Sequence, residues 1–311
     1  MVAKEKFEVV VIDKREIAND VVCLTLALEH GGDLPAFDAG SHIELKLTDT
    51  MTRAYSLCSD PDERSIYQIA VKRESVSRGG SEFIHDHLRQ GDKVTISQPK
   101  NYFPLSEDAD HVLLVGGGIG ITPLLSMAYV LKRQNTPFSV LFCSSRYTKP
   151  LFESEFRDLG AEFSFMNQGK DHLSLDRFLS PTNKKLDIYC CGPNEFMDHV
   201  RLISGVEDER WHQESFTPAN ETVVDNAVTL TLSESNKVIE LTSGGSMIDA
   251  IRSAGITVDT VCEQGVCGSC VVSWRDGEPI HNDECMTDEE RSEYVALCCA
   301  GCSSKSLTLE I

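Results

Sequence analysis

The stretch CEQGVCGSC, Cys262 to Cys270, sets three cysteines in C-x4-C-x2-C spacing with glycines between them. Three readings compete for such thiols: a disulfide framework, a zinc site and an iron–sulfur cluster. The chain opens on MVAKEKFEVVVIDK, which has neither the apolar segment nor the cleavage site of a secretory signal. Its twelve cysteines are therefore expected in a reducing cytoplasm, where structural disulfides do not persist. Zinc sites use two C-x2-C pairs, or Cys pairs with His pairs; Cys267–Cys270 and Cys299–Cys302 both have that spacing, but Cys262, separated from Cys267 by four residues, has no place in a zinc pattern of this kind. C-x4-C-x2-C followed by a distant cysteine is the plant-type [2Fe–2S] spacing. Gly265 and Gly268 suit it, because backbone N–H groups can curl around a negatively charged cluster only where unusual φ/ψ is tolerated. Cys285, Cys298, Cys299 and Cys302 are all available as a fourth ligand. Cys298 and Cys299 are adjacent, so their side chains diverge and only one of them is expected to ligate. The other thiols are expected to pack as small hydrophobes.

Upstream of that site the chain divides into segments. Residues 1–105 carry short β patterns (EVVVIDK, VVCLTLAL, HIELKL, YQIAVKRE, KVTISQP) between Gly, Asp and Pro turns, with one helical piece, SEFIHDHLRQG. That pattern predicts a small antiparallel barrel. Residues 106–217 alternate strand and helix: HVLLVGG with PLLSMAYVLKRQ, FSVLFCSS with LFESEFRDL, and LDIYCCG with EFMDHVRLI. This is the rhythm of a parallel sheet covered on both faces. Residues 218–226 read as a linker. Residues 227–311 begin with a hairpin, VTLTLSESNKVIELT, then a helix, SMIDAIRSAG, with Gly255 as its cap. The cysteine loop, the strand CVVSWRDGE and a last strand LTLEI follow. With 41% apolar and 25% charged residues, each segment can bury a core. The net charge of -20 disfavours nucleic acid and anionic membranes, and no apolar run approaches the roughly 20 residues of a membrane span.

HVLLVGGGIGITPLLSM is a strand, a glycine-rich turn and a helix start, with Thr122 expected as N-cap and Pro123 as first helical residue. Such a turn suits a pyrophosphate. The full G-x-G-x-x-G fingerprint would need glycine at Ile121 and is absent. Two more loops at the same sheet edge, Cys143–Arg146 and Cys190–Pro193, point to a ligand crevice there. RAYSLCS, from Arg53, places Arg53, Tyr55 and Leu57 on one strand face and Ser56 on the other. RGGSEF offers Gly79, Gly80 and Ser81 at a helix start, a second anion-binding turn.

Taken in order, RAYSLCSD, IAVKRE, RGGS, GGGIGITPLLSM, YCCGP, ESF and CEQGVCGSC resemble the phthalate dioxygenase reductase family, to which vanillate demethylase reductases also belong. The resemblance spans nearly the whole chain. It implies an FMN barrel, a nicotinamide domain and a β-grasp ferredoxin domain, in that order. By position, Arg53 holds the FMN phosphate with Gly79, Gly80 and Ser81. Ala54, Tyr55, Ala70, Val71 and Lys72 line the flavin, and Ser56 and Phe216 act at its reactive edge. Gly117, Gly118, Ile119, Gly120, Thr122, Ser144, Arg146, Cys191, Gly192 and Pro193 cradle the dinucleotide, and Glu214 with Phe216 closes over the flavin. The family's fourth cluster cysteine matches Cys298, giving Cys262, Cys267, Cys270 and Cys298, although CCAGCSSK departs from the Ser-Arg pair that usually follows it.

A nicotinamide gives up two electrons and a [2Fe–2S] cluster accepts one, so a flavin is expected between them. No Rieske pattern is present in the sequence. The expected function is a cytoplasmic, monomeric, NADH-dependent reductase (NADPH stays open, since Arg146 suits a 2′-phosphate) serving a separate Rieske-type oxygenase component. The alternatives are a reductase for another acceptor such as a hydroxylase, and a non-catalytic electron carrier. From Asn226 to Ile311 there are five Lys or Arg against fourteen Asp or Glu, a charge suited to a basic partner.

Overall fold

The computed structural model describes residues 6–49, 51–75, 79–106, 108–145, 149–167, 173–179, 185–216, 224, 226–263, 265–283 and 285–311. The chain divides into two compact units, 1–216 and 217–311.

Alternating Val, Ile and Leu build the first sheet. Strands β1 (Lys6–Ala18), β2 (Val21–Ala27), β3 (His42–Lys46), β4 (Thr52–Ser56), β5 (Tyr67–Lys72) and β6 (Lys93–Ser97) pair antiparallel in the order β4-β3-β6-β1-β2-β5. A bridge between Leu57 and Ile69 joins the two edges, so the sheet closes into a barrel. Val9, Leu24, Ile43 and Leu45 fill it, and helix α1 (Gly80–Asp86) adds Ile84. Lys14 Nζ donates to the carbonyls of Ile84, His85 and Leu88 at 2.7, 2.8 and 2.8 Å, satisfying the orphan C-terminal groups of α1.

The second sheet is parallel, in the order β11-β10-β7-β8-β9. Its strands are β7 (His111–Gly117), β8 (Phe138–Ser144), β9 (Glu162–Asn167), β10 (Leu186–Cys191) and β11 (Trp211–Glu214). Helices α2 (Ile121–Gln134) and α3 (Glu153–Asp158) cover one face, and α4 (Asn194–Ser204) covers the other. That is why VLLV of β7 is apolar at every position and wholly buried. The chain runs outward from β7 to β9, then returns to β10 on the opposite side of β7. The switch point therefore lies between the carboxyl ends of β7 and β10, where ligands bind in such sheets.

The start of α2 corrects an expectation. Thr122 is not the N-cap and Pro123 is not the first helical residue. A 3-10 turn over Gly118–Gly120 runs straight into the helix, and Gly120 is the cap residue without a side chain to offer. Thr122, 2% exposed, donates from Oγ1 to the Ile119 carbonyl at 3.1 Å. Pro123 is tolerated at the third helical position because an N–H there has no intrahelical partner.

In the second unit, β12 (Val228–Leu232) and β13 (Lys237–Leu241) form the expected hairpin, and a final strand lies parallel to β12. Helix α5 (Met247–Ser253) packs Met247 and Ile251 on this sheet. Ser246 caps its start, accepting from Asp249 N–H. At its end Gly255 adopts φ +80, with Gly255 N–H on Arg252 O and Ile256 N–H on Ile251 O, a Schellman motif. The remainder is short: β14 (Val271–Ser273), β15 (Pro279–Ile280), α6 (Asp288–Arg291), β16 (Tyr294–Ala296), β17 (Gly301–Cys302) and the final strand β18 (Ser306–Leu309). Hairpin, helix and a terminal strand parallel to the first make this unit a β-grasp. No helix among the described residues is long and apolar enough to cross a membrane.

Candidate functional site

The cysteine loop enters from α5 and is held by an ion pair. Arg252 Nη2 donates to Glu263 Oε1 at 2.9 Å, and Thr260 Oγ1 donates to the same oxygen at 3.0 Å. Glu263 is thereby kept at φ +55, unusual for a residue with a side chain. Gly265 follows at φ +77; a Cβ there would lie 2.8 Å from Cys299 Sγ and 3.0 Å from Asp283 Cα, so only glycine fits. The loop brings thiols together in two pairs. Cys267 lies within hydrogen-bonding reach of Cys262, and Cys270 of Cys298. The neighbouring Cys262 thiol, opposed by burial, brings the Cys267 thiol down to about 5. Cys299 is also within hydrogen-bonding reach of Cys298, and Cys285 stands near Cys267 and Cys270, but each remaining candidate has a further partner. Cys299 Sγ meets Ala296 O at 3.6 Å, Cys302 Sγ meets Ser304 O at 3.3 Å, and Cys285 Sγ meets Asp283 Oδ2 at 3.9 Å. Among the described residues no three His, Cys, Asp or Glu side chains converge on one ion. Two thiol pairs around a loop with a left-handed glycine match the donor set of a two-iron cluster, with two thiolates for each iron.

In the first unit, the turns after β7 and β10 meet at the switch point at backbone contact. A Cβ on Gly120 would lie 2.2 Å from the Cys191 carbonyl oxygen, and one on Gly192 would lie 3.1 Å from Gly117 Cα. Gly118, at φ +59, faces open space. Ile119 and Thr122 continue this wall, Pro193 caps α4, and Ser144 ends β8 beside it. Arg146 lies outside the described residues. The wall is backbone-rich and ends at a helix start, a setting suited to a pyrophosphate.

Strand β4 carries the remaining residues. Arg53 lies across the start of α1, so that a Cβ on Gly80 would meet its Cγ at 2.6 Å. Gly79 sits at φ +88, and Ser81 Oγ accepts from Glu74 N–H at 3.2 Å. Lys72 Nζ is paired with the Glu74 carboxylate at 2.8 Å. Arg53, Lys72, Gly79, Gly80 and Ser81 are thus gathered in one place. Burial pushes the Tyr55 phenol up. Ala54 stands opposite Glu44 on β3. Ala70 packs toward the parallel sheet, whereas Val71 turns into the barrel core and leaves only its backbone on the other side.

Ser56 Oγ donates to Glu214 Oε2 at 3.5 Å. Burial raises the Glu214 carboxyl to about 8, against the opposing effect of Ser56. Burial likewise pushes up the Cys191 thiol, and the nearby Glu214 adds to it. The barrel strand and the end of the parallel sheet therefore share one desolvated acid. Sequence reasoning named both residues separately and gave no sign of the contact. Phe216, 39% exposed, follows Ser215, whose Oγ donates to Asn194 Oδ1 at 2.6 Å.

Comparison with known proteins places these sites in context. A 2Fe-2S iron-sulfur cluster binding domain matches residues 230–303, and an oxidoreductase FAD-binding domain matches residues 8–104. Phenoxybenzoate dioxygenase subunit beta of Ectopseudomonas oleovorans is 34% identical over 94% of this chain and 94% of its own. Vanillate O-demethylase oxidoreductase of a Pseudomonas species is 34% identical over 98% of this chain and 99% of its own. Among solved structures, that of phthalate dioxygenase reductase, a modular structure for electron transfer from pyridine nucleotides to [2Fe–2S], superposes with a TM-score of 0.74. It is 32% identical and covers 98% of each chain.

Proposed function

Starting from the premise that the chain belongs to the phthalate dioxygenase reductase family, we propose that it takes electrons from NADH and passes them over FMN and a [2Fe–2S] cluster to a Rieske-type oxygenase component. The observation that carries this reading is the pairing of Cys262 with Cys267 and of Cys270 with Cys298. When bound, the nicotinamide supplies electrons in pairs, the flavin changes by one or two, and the cluster accepts one.

The chain's own residues position these groups. Cys262, Cys267, Cys270 and Cys298 hold the cluster. Arg53, Gly79, Gly80 and Ser81 bind the flavin phosphate, the guanidinium supplying a charge-assisted contact. Ala54, Tyr55, Ala70, the Val71 backbone and Lys72 seat the ring. Ser56 turns its hydroxyl oxygen to the ring edge while its hydrogen goes to Glu214 Oε2, and Glu214, whose carboxyl is raised to about 8, keeps its own proton on Oε1 at neutral pH. Phe216 shields that edge from water. Gly117, Gly118, Ile119, Gly120, Thr122, Ser144, Cys191, Gly192 and Pro193 receive the dinucleotide, and Arg146 completes its ribose end. We take residues 1–105, 106–217 and 227–311 as flavin, nicotinamide and ferredoxin domains, joined by 218–226, in a cytoplasmic monomer.

The acidic surface of the last domain steers a basic face of the oxygenase. Electron transfer from NADH to a Rieske oxygenase should therefore slow between 0.1 M and 1 M salt, as the Debye length falls from about 10 Å to about 3 Å. NADH–ferricyanide activity should change much less. Asp288→Asn, Glu289→Gln and Glu290→Gln together keep the Thr287–Glu290 capping arrangement. They should lower the second-order rate roughly three- to tenfold at low salt. Stopped-flow bleaching of the Rieske centre measures both effects. A chain that oxidises NADH with ferricyanide yet never reduces a Rieske centre would end this reading.

A further inference from the structure

Ser269 stands between two cluster cysteines, and its hydroxyl has a direction fixed by its neighbours. Val261 N–H donates to Ser269 Oγ at 3.1 Å. A backbone N–H can only donate, so this contact uses a lone pair of the hydroxyl and leaves its hydrogen free. The next atom in reach is Cys267 Sγ, at 3.0 Å. As a cluster ligand that sulfur is a thiolate, which can only accept. The hydrogen therefore goes to sulfur. Val261 is itself held, because Thr260 and Glu263 on either side of it are both bound to Arg252, Thr260 by Oγ1 and Glu263 by Oε1 at 2.9 Å.

We propose that Ser269 is a positioning residue that raises the reduction potential of the cluster by donating an O–H···S bond to Cys267, with Val261 and the Arg252 clamp fixing its direction. The inference rests on the four-cysteine reading given above. Reduction adds negative charge to the cluster, and a donor to ligand sulfur favours the more negative state. Nothing is transferred through the serine. It shifts the equilibrium of the electron that the flavin delivers.

The test is a dye-equilibrated potentiometric titration of the holoenzyme, with the reduced cluster read by EPR. Ser269→Ala should shift the one-electron equilibrium about tenfold away from the cluster, a fall of about 59 mV. Ser269→Thr, which keeps the hydroxyl, should restore the wild-type value. A loaded Ser269→Ala enzyme with unchanged potential overturns the proposal, as does a Thr variant that falls as far as Ala, because packing alone would then account for the change. Should Ser269→Ala assemble no cluster, Ser269→Cys replaces the hydroxyl with a weaker donor. A potential below wild type supports the proposal, and one equal to wild type overturns it. A wild-type chain that shows no [2Fe–2S] signal overturns the cluster reading instead, so the two failures are distinct.

Discussion

In residues 1–216 the groups of the candidate site arrive from far apart, Ser56 and Glu214 meeting across 158 positions. In residues 217–311, three of four paired thiols come from one nine-residue loop, Cys262 to Cys270. The first site exists only when barrel and parallel sheet are both complete. The second depends on a few local devices: the Arg252–Glu263 pair, the left-handed Gly265 and the capped helix α5. A long-range site couples its chemistry to the stability of the whole unit, and a loop site can fail alone.

The largest effect should come from the one thiol outside the loop. Cys298→Ser should reduce bound iron from two atoms per chain to none, while flavin content and NADH–ferricyanide activity stay intact. Cys285→Ser, Cys299→Ser and Cys302→Ser should keep the iron. Iron analysis and visible spectra decide this, and loss of flavin from Cys298→Ser would mean that the loop does not fail independently.

Arg53→Ala acts on the long-range site through a single contact. A charge-assisted bond to phosphate contributes about 1.5–3 kcal/mol, so FMN affinity should fall by about ten- to a hundredfold, with riboflavin affinity little changed. Fluorescence titration of both ligands measures the contrast. Full FMN retention after dilution and gel filtration would remove Arg53 from the site.

Glu214 should give the most diagnostic effect. Its carboxyl titrates near 8 when folded, above the ordinary 4.5. Between those values the folded chain keeps a proton that the unfolded chain has lost. Its stabilising contribution is complete below pH 4.5, declines as pH rises and is gone above 8, at a limiting slope of about 1.4 kcal/mol per pH unit. Melting temperature should therefore fall more between pH 6 and 9 in the wild type than in Glu214→Gln. Parallel curves would place Glu214 in a solvated setting and sever its link to Ser56.

The same contrast governs what could be read from sequence. The cluster loop was legible because spacing, glycines and thiols are local, and so were the Gly255 cap, the β12–β13 hairpin and the opposite faces of Tyr55 and Ser56. Strands β9 and β11 were missed: FSFMN and WHQE carry weak period-2 patterns and gain their identity by pairing in register with Cys143 and Cys190. Thr122 misled because Thr before Pro is a good cap signal locally, yet the glycine turn coils into the helix two residues earlier. The Ser56–Glu214 contact and the approach of Cys298 to Cys270 are set by packing, and packing is not written in any one segment.

Gly117, Gly120 and Gly192 leave no room for a methyl group between the two turns they form. The three positions consequently behave as a single genetic locus. A side chain at Gly120 would meet the Cys191 carbonyl oxygen at 2.2 Å and must push the facing turn aside, whereas one at Gly117 or Gly192 first meets the Phe196 ring at 2.9 Å, with the facing backbone just behind it. Redesign of the crevice is therefore free to vary its far rim, around Ser144, while this seam has to be inherited whole.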